Sequence, residues 1–131
     1  MDRRFNIAVG KLLKNKMNEK FYVSLEVARL LKEKGYNEKC ITYYQDNCRE
    51  IYYSFCGERN SNWEERCVSA PSKAEVIDWL EGKGWQFSII CADNYNLYEY
   101  IVYFENEHTS GYRETMLEAQ DAAIITVLEK L

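Results

Sequence analysis

The residue types that could do chemistry are few and scattered. His108, the only histidine, stands in the polar run Glu105-Asn106-Glu107-His108-Thr109-Ser110. Two nearby carboxylates could share a proton or a metal ion with its imidazole, although the plainer reading is a solvent-facing loop residue. Five cysteines are present, Cys40, Cys48, Cys56, Cys67 and Cys91. A hairpin turning near Cys48 would gather the first four around one zinc ion, but spacings of eight, eight and eleven match neither zinc ribbons nor fingers. Free, reduced thiols are the expectation. Arg59, Arg66 and Arg113 could each hold an anion. There is no G-x-S-x-G, Walker-type loop, G-x-G-x-x-G or H-E-x-x-H in the chain. The sequence therefore predicts a protein that is not an enzyme, with no cofactor and no bound metal.

Aromatic side chains are the more distinctive resource. Eleven Tyr, five Phe and three Trp raise the aromatic share to 15%. Seven tyrosines (Tyr43, Tyr44, Tyr52, Tyr53, Tyr98, Tyr100 and Tyr103) fall in runs that read as strands, and strand alternation sends them to both faces of a sheet. Cross-strand packing is the default use of such residues. Those facing away from the helices, with Tyr43, Tyr52, Tyr98 and Tyr100 as candidates, could instead bury against another protein or stack bases. Trp63 sits amid Arg59, Asn60, Asn62, Glu64, Glu65 and Arg66. It either folds back onto the edge of the core, the favoured reading, or is presented as an interface anchor.

These residues need elements to position them. Laid on itself with an offset of 49, the chain matches Glu26-Val27, Leu31, Lys34-Gly35 and Tyr36 to Glu75-Val76, Leu80, Lys83-Gly84 and Trp85. Downstream, Ile41 meets Ile90, Tyr52-Tyr53 meets Ile101-Val102, and Phe55 meets Phe104 without a gap. The first unit reads as a helix over Leu25, Ala28 and Leu31, capped by Ser24 and stopped by Gly35, then strands over Lys39 to Tyr44 and Glu50 to Cys56. Charges such as Lys32 read as its solvated face. In the second, Pro71 and the capping box Ser72-Lys73-Ala74-Glu75 open a helix with Val76, Ile77 and Leu80 inward. Strands over Trp85 to Ala92 and Leu97 to Phe104 follow, joined by Asp93-Asn94-Tyr95-Asn96. After a loop from Glu105 to Gly111, Thr115-Met116-Leu117-Glu118 caps a closing helix lined by Leu117, Ile124, Val127, Leu128 and Leu131. The predicted fold is α+β: a duplicated αββ unit plus a C-terminal helix, giving one four-stranded antiparallel sheet with helices on one face.

The boundaries follow: a basic N-terminal extension over 1–16, then a single α+β domain over 17–131. Its repeat units cover about 23–56 and 72–104, and its closing helix about 114–131. Ile7, Leu12, Leu13 and Met17 could form a weak amphipathic helix in the extension. The segment from Gly57 to Ala70 is long for a connection, and such loops are often functional. Residues 1–16 hold five basic groups against Asp2, a net of +4, which leaves −8 for residues 17–131 out of the total of −4. An acidic body disfavours a phosphate-tracking nucleic-acid surface. No apolar run reaches the roughly 20 residues that span a bilayer, and no secretory signal opens the chain. The expected setting is the cytoplasm, without membrane contact.

Three stretches carry a family resemblance: Ser24-Leu25-Glu26-Val27-Ala28-Arg29-Leu30-Leu31-Lys32-Glu33-Lys34-Gly35, Ser69-Ala70-Pro71-Ser72-Lys73-Ala74-Glu75-Val76-Ile77-Asp78-Trp79-Leu80, and the Ala-rich final helix. Over roughly residues 17–131 the chain resembles small uncharacterised proteins of phages and prophages of Bacteroides-type bacteria. The resemblance rests on helix signatures and carries no site. It implies a bacterial host cytoplasm and a host or phage protein as partner. The functional expectation is a non-enzymatic binding protein that acts by macromolecular contact, through the aromatic sheet face or the Trp63 loop, with interference with a host system as one form. The alternative is a small-ligand or nucleotide-binding module whose pocket lies between the sheet and the 57–70 loop, using Arg59, Arg66 or Arg113 for an anion.

Overall fold

The computed structural model describes residues 10–12, 20–54, 57–58, 60–92 and 97–131. They fall into two compact units that divide between Pro71 and Ser72.

The first unit contains β1 (Gly10–Leu12), α1 (Leu25–Glu33), β2 (Thr42–Gln45), β3 (Tyr52–Ser54) and β4 (Cys67–Ser69). Helix α1 starts where the Ser24 hydroxyl accepts the free Val27 N–H, and it buries Leu25, Val27, Ala28 and Leu31. Its sheet has the order β1-β3-β2-β4 with antiparallel neighbours. Strand β2 is buried on both faces. Tyr43 is 1% exposed, the Tyr44 hydroxyl donates to the Val23 carbonyl at 2.6 Å, and the Thr42 hydroxyl donates to the Ala70 carbonyl at 2.5 Å. Those bonds let polar tips enter the core without an unsatisfied group.

The second unit contains α2 (Lys73–Glu81), β5 (Gln86–Cys91), β6 (Tyr98–Phe104), β7 (Glu107–Arg113) and α3 (Met116–Leu128). The capping box forms as expected: Ser72 Oγ accepts from Glu75 N–H while the Glu75 carboxylate accepts from Ser72 N–H. The sheet order is β5-β6-β7, again antiparallel. Helix α3 packs on β6 and β7 and against α2. Ala119, Ala122 and Ala123 bring its backbone close to the sheet, with Ile124, Val127 and Leu128 buried alongside them. Leu131 is 43% exposed and Ile77 only half-buried, so neither serves as the core residue expected of it.

Helices α1 and α2 end alike. Lys34 and Tyr36 N–H bond to Leu31 O just as Lys83 and Trp85 N–H bond to Leu80 O, around Gly35 and Gly84 with φ of +88° and +102°. Glycine carries this left-handed turn without steric cost. The hairpins then differ. Thr42 pairs with Tyr53, whereas Cys91, which lies 49 residues after Thr42, pairs with Tyr98 rather than Val102.

Four expectations are corrected. The two hairpins do not join in one four-stranded sheet with helices on one face; the structure has two separate antiparallel sheets. Each hairpin is completed by a strand from a segment read as a loop, β4 in one and β7 in the other. The 57–70 segment holds a 3-10 turn over Ser61–Trp63 as well as β4. The polar run around His108 is strand β7, entered through a tight turn in which Glu105 takes φ of +56°. An edge strand in water has no need of apolar alternation, which is why its pattern read as a loop. Gly10–Leu12 pairs with β3 rather than forming a helix with Ile7, Leu13 and Met17, which lie outside the described residues together with Phe55, Cys56, Arg59 and residues 93–96. Among the described residues no helix is long and apolar enough to cross a membrane.

Candidate functional site

Register decides which side chains share a face. In the second sheet Ile90 stands opposite Glu99, Ser88 opposite Ile101 and Gln86 opposite Tyr103; across the next pair Tyr112, Ser110 and His108 continue those rows. The buried Tyr100 and Val102 alternate with these residues and lie on the side that α3 covers. The other side is therefore an open face bearing Ile90, Ile101, Tyr103, His108 and Tyr112. Ile90 is 50% exposed and Tyr112 53%, while the Tyr103 and His108 rings sit 6.0 Å apart between centroids.

On the helix-facing side the Tyr100 ring lies flat over its cross-strand partner Gly111. A Cβ at residue 111 would fall 2.4 Å from the Tyr100 hydroxyl oxygen. The Arg113 guanidinium stands 5.6 Å from the centroid of the same ring. Nearby Tyr98 meets Cys91, and that hydrogen bond, then the electrostatic influence of Cys91 and burial, holds the Tyr98 phenol above its ordinary range.

In the first unit Trp63 is 79% exposed, which overturns the expectation that it folds back onto the core. Its Nε1 donates to Asn37 Oδ1 at 3.1 Å, so one edge of the indole is anchored while its face stays wet. The same Asn37 oxygen accepts from Asn60 Nδ2. Asn62 Nδ2 donates to Tyr36 O at 2.9 Å and Asn62 Oδ1 accepts from Ser69 N–H at 2.8 Å. Lys32 donates to the carbonyls of Glu64 and Cys67, each at 2.9 Å, so it staples the loop rather than facing solvent alone. A groove of about 480 Å³ beside this loop is lined by Leu25, Tyr44, Asp46, Asn47, Glu65 and Arg66. Arg66 Nε donates to Asp46 at 2.5 Å. With that guanidinium engaged and Glu65 close by, the groove suits an anion poorly.

The sequence candidates thus scatter. Tyr43 is core and stacks on the half-buried Tyr52 at 5.9 Å, and Tyr100 is core as well. Burial, then the charges of Cys48, Glu50 and Asp46, raises the Tyr52 phenol. Tyr98, Tyr100 and Arg113 come together in the second unit, Trp63 and Arg66 belong to the loop of the first, and Arg59 lies outside the described residues. His108 joins the open face. Sequence reasoning missed Tyr112, whose strand was not recognised, and did not single out Tyr103, Ile90 or Ile101; the odd and even positions of β6 were the available signal. The thiols bond locally, Cys40 to the Thr42 carbonyl at 3.3 Å and Cys67 to Glu64 at 3.4 Å. Among the described residues no three His, Cys, Asp or Glu side chains gather as a metal site. No family model, curated protein or solved structure matches the chain.

Proposed function

We propose that the protein is a non-enzymatic binding protein that acts by contact with another protein through the open face of its second sheet, with Tyr103 and Tyr112 as anchors. One observation carries this reading. Strand register collects Ile90, Ile101, Tyr103 and Tyr112 on the side that α3 leaves uncovered, with Ile90 and both rings exposed and Ile101 half-buried. Contiguous exposed apolar surface of this kind is typical of interaction sites, and tyrosine is enriched among interface anchors. The face carries Glu99 and His108 and, among its described residues, no Lys or Arg, so a phosphate backbone would find little to neutralise it. A protein partner fits better than nucleic acid. The resemblance to phage and prophage proteins supports a bacterial host or phage protein in that role.

The test is a photo-crosslinking amino acid placed at Tyr112 in the full chain, expressed in a bacterial host. The expected result is one recurrent adduct that disappears with Tyr103→Ser and persists with Trp63→Ser. The same adducts obtained from a probe at Glu129, an exposed position beyond α3, would remove the proposal. Loss with Trp63→Ser instead would move the contact to the anchored indole of the first unit.

A further inference from the structure

The second unit holds a cleft of about 600 Å³ at one end of its sheet, mainly on the helix-facing side. Its floor is Trp85 and Phe104, whose ring centroids lie 4.6 Å apart at 34°. Trp85 is 8% exposed and fixed by its surroundings, whereas Phe104 is 36% exposed and presents part of its ring. Gly84 precedes Trp85 in a left-handed backbone conformation, φ +102°, that other residues adopt only with strain. Lys83, Lys130, Glu107 and Thr109 form the rim, and His108, between the last two on β7, borders the cleft at the strand edge. The Lys83 ammonium is positioned 4.6 Å from the Trp79 ring centroid, and among the described residues neither lysine forms an ion pair.

We propose that this cleft binds a small planar aromatic anion, its ring on the Trp85 and Phe104 floor and its acidic group between Lys83 and Lys130. The volume lies within the range of about 300 to 1,000 Å³ usual for small-ligand sites, and an apolar floor with a few polar groups at its rim is their ordinary construction. A ring settles on aromatic faces through offset stacking, and ammonium groups beside a partly dry floor attract a phosphate or carboxylate more strongly than they would in open water. Glu107 adds selectivity, since it accepts a hydrogen bond from an N–H or O–H on the ring and repels a second acidic group placed beside it. The ligand class is thus a donor-bearing aromatic ring with one anionic substituent. A nucleoside monophosphate and a hydroxylated aromatic carboxylate both meet it.

Isothermal titration of the full chain with adenosine monophosphate, para-hydroxybenzoate and neutral adenosine tests the proposal. The expected result is saturable binding of at least one of the two anions at one site per chain, weakened by salt and by about tenfold or more in Lys83→Gln/Lys130→Gln. Which anion binds separates a phosphate from a carboxylate ligand. Both lysines are exposed, so the double variant should keep its fold, which circular dichroism checks, and Arg66→Gln in the first unit should bind as wild type does. No saturable binding of either anion, unchanged affinity in the double variant, or adenosine binding as tightly as its monophosphate would each overturn the proposal.

Discussion

At the scale of single residues, the contact between Tyr100 and Gly111 is the most demanding in the second unit. With a hydroxyl oxygen 2.4 Å from where a Cβ would sit, Gly111→Ala must push the ring off the strand. A loss of about 1 to 3 kcal/mol is expected from such overpacking, measurable by urea denaturation, and Tyr100→Leu in the same chain should return part of it. Lys73 makes a different prediction. Its side chain is 9% exposed, its ammonium donates to Leu117 O at 3.2 Å, and burial lowers its pKa despite the opposing charges of Asp121 and Glu118. The unfolded chain therefore holds this proton more tightly than the folded one. Between the folded value and the ordinary lysine value, stability rises with pH. The stability of wild type relative to Lys73→Met should climb as pH approaches that upper value, and a flat difference would contradict the assignment. Neither feature was legible in the sequence, because Tyr100 and Gly111 meet only through register and Lys73 reads as an ordinary solvent-facing residue of the first helical turn.

Helix starts and stops were the most legible elements because their chemistry is local. Ser72 and Glu75 satisfy each other within one turn, and Gly35 and Gly84 are glycines at positions that require positive φ. Ser72→Ala should cost about 0.5 to 2 kcal/mol, read as a lowered midpoint of thermal unfolding. Strand identity was partly legible and strand partnership hardly at all. Strand β4 is short and pairs with β2, up to 26 residues earlier, while β7 pairs with its immediate neighbour β6 but is too polar to show apolar alternation. The 57–70 segment shows the same limit. It read as a polar loop, yet its shape rests on carboxamides whose partners are separated from them by up to 26 residues. Asn62→Ala removes both bonds of that side chain. It should accelerate amide hydrogen exchange at Ser69 and through Ser61–Trp63 while leaving α1 protected.

At the scale of the whole molecule, the internal match at offset 49 located the two helix ends and left the sheets unresolved. Helix stops depend on residues a few positions apart, whereas a sheet depends on which strand arrives beside which, and loop closure weighs those alternatives in ways that a pairwise match cannot express. The candidate interface was legible only in kind. An excess of tyrosine predicted an aromatic face, but the residues that form it are Tyr103 and Tyr112 rather than Tyr43 and Tyr100. Replacing that pair by serine should shift stability by no more than about 0.5 kcal/mol per site, since surface changes away from caps and cores have small effects. A cooperative urea transition at nearly the wild-type midpoint, together with the lost crosslink, would separate a contact surface from a structural one. A large fall in midpoint would assign the pair to the fold instead.

The contrast between Trp63, 79% exposed, and Trp85, 8% exposed, has a practical consequence. A wet indole emits at longer wavelength and is reached by iodide, whereas an indole sealed against Phe104 emits to the blue and is shielded. With the half-buried third indole removed by Trp79→Phe, the two report from different units of an unlabelled chain. Occupation of the cleft should alter the blue component, and a partner seated on the Trp63 loop should protect the red one from quenching.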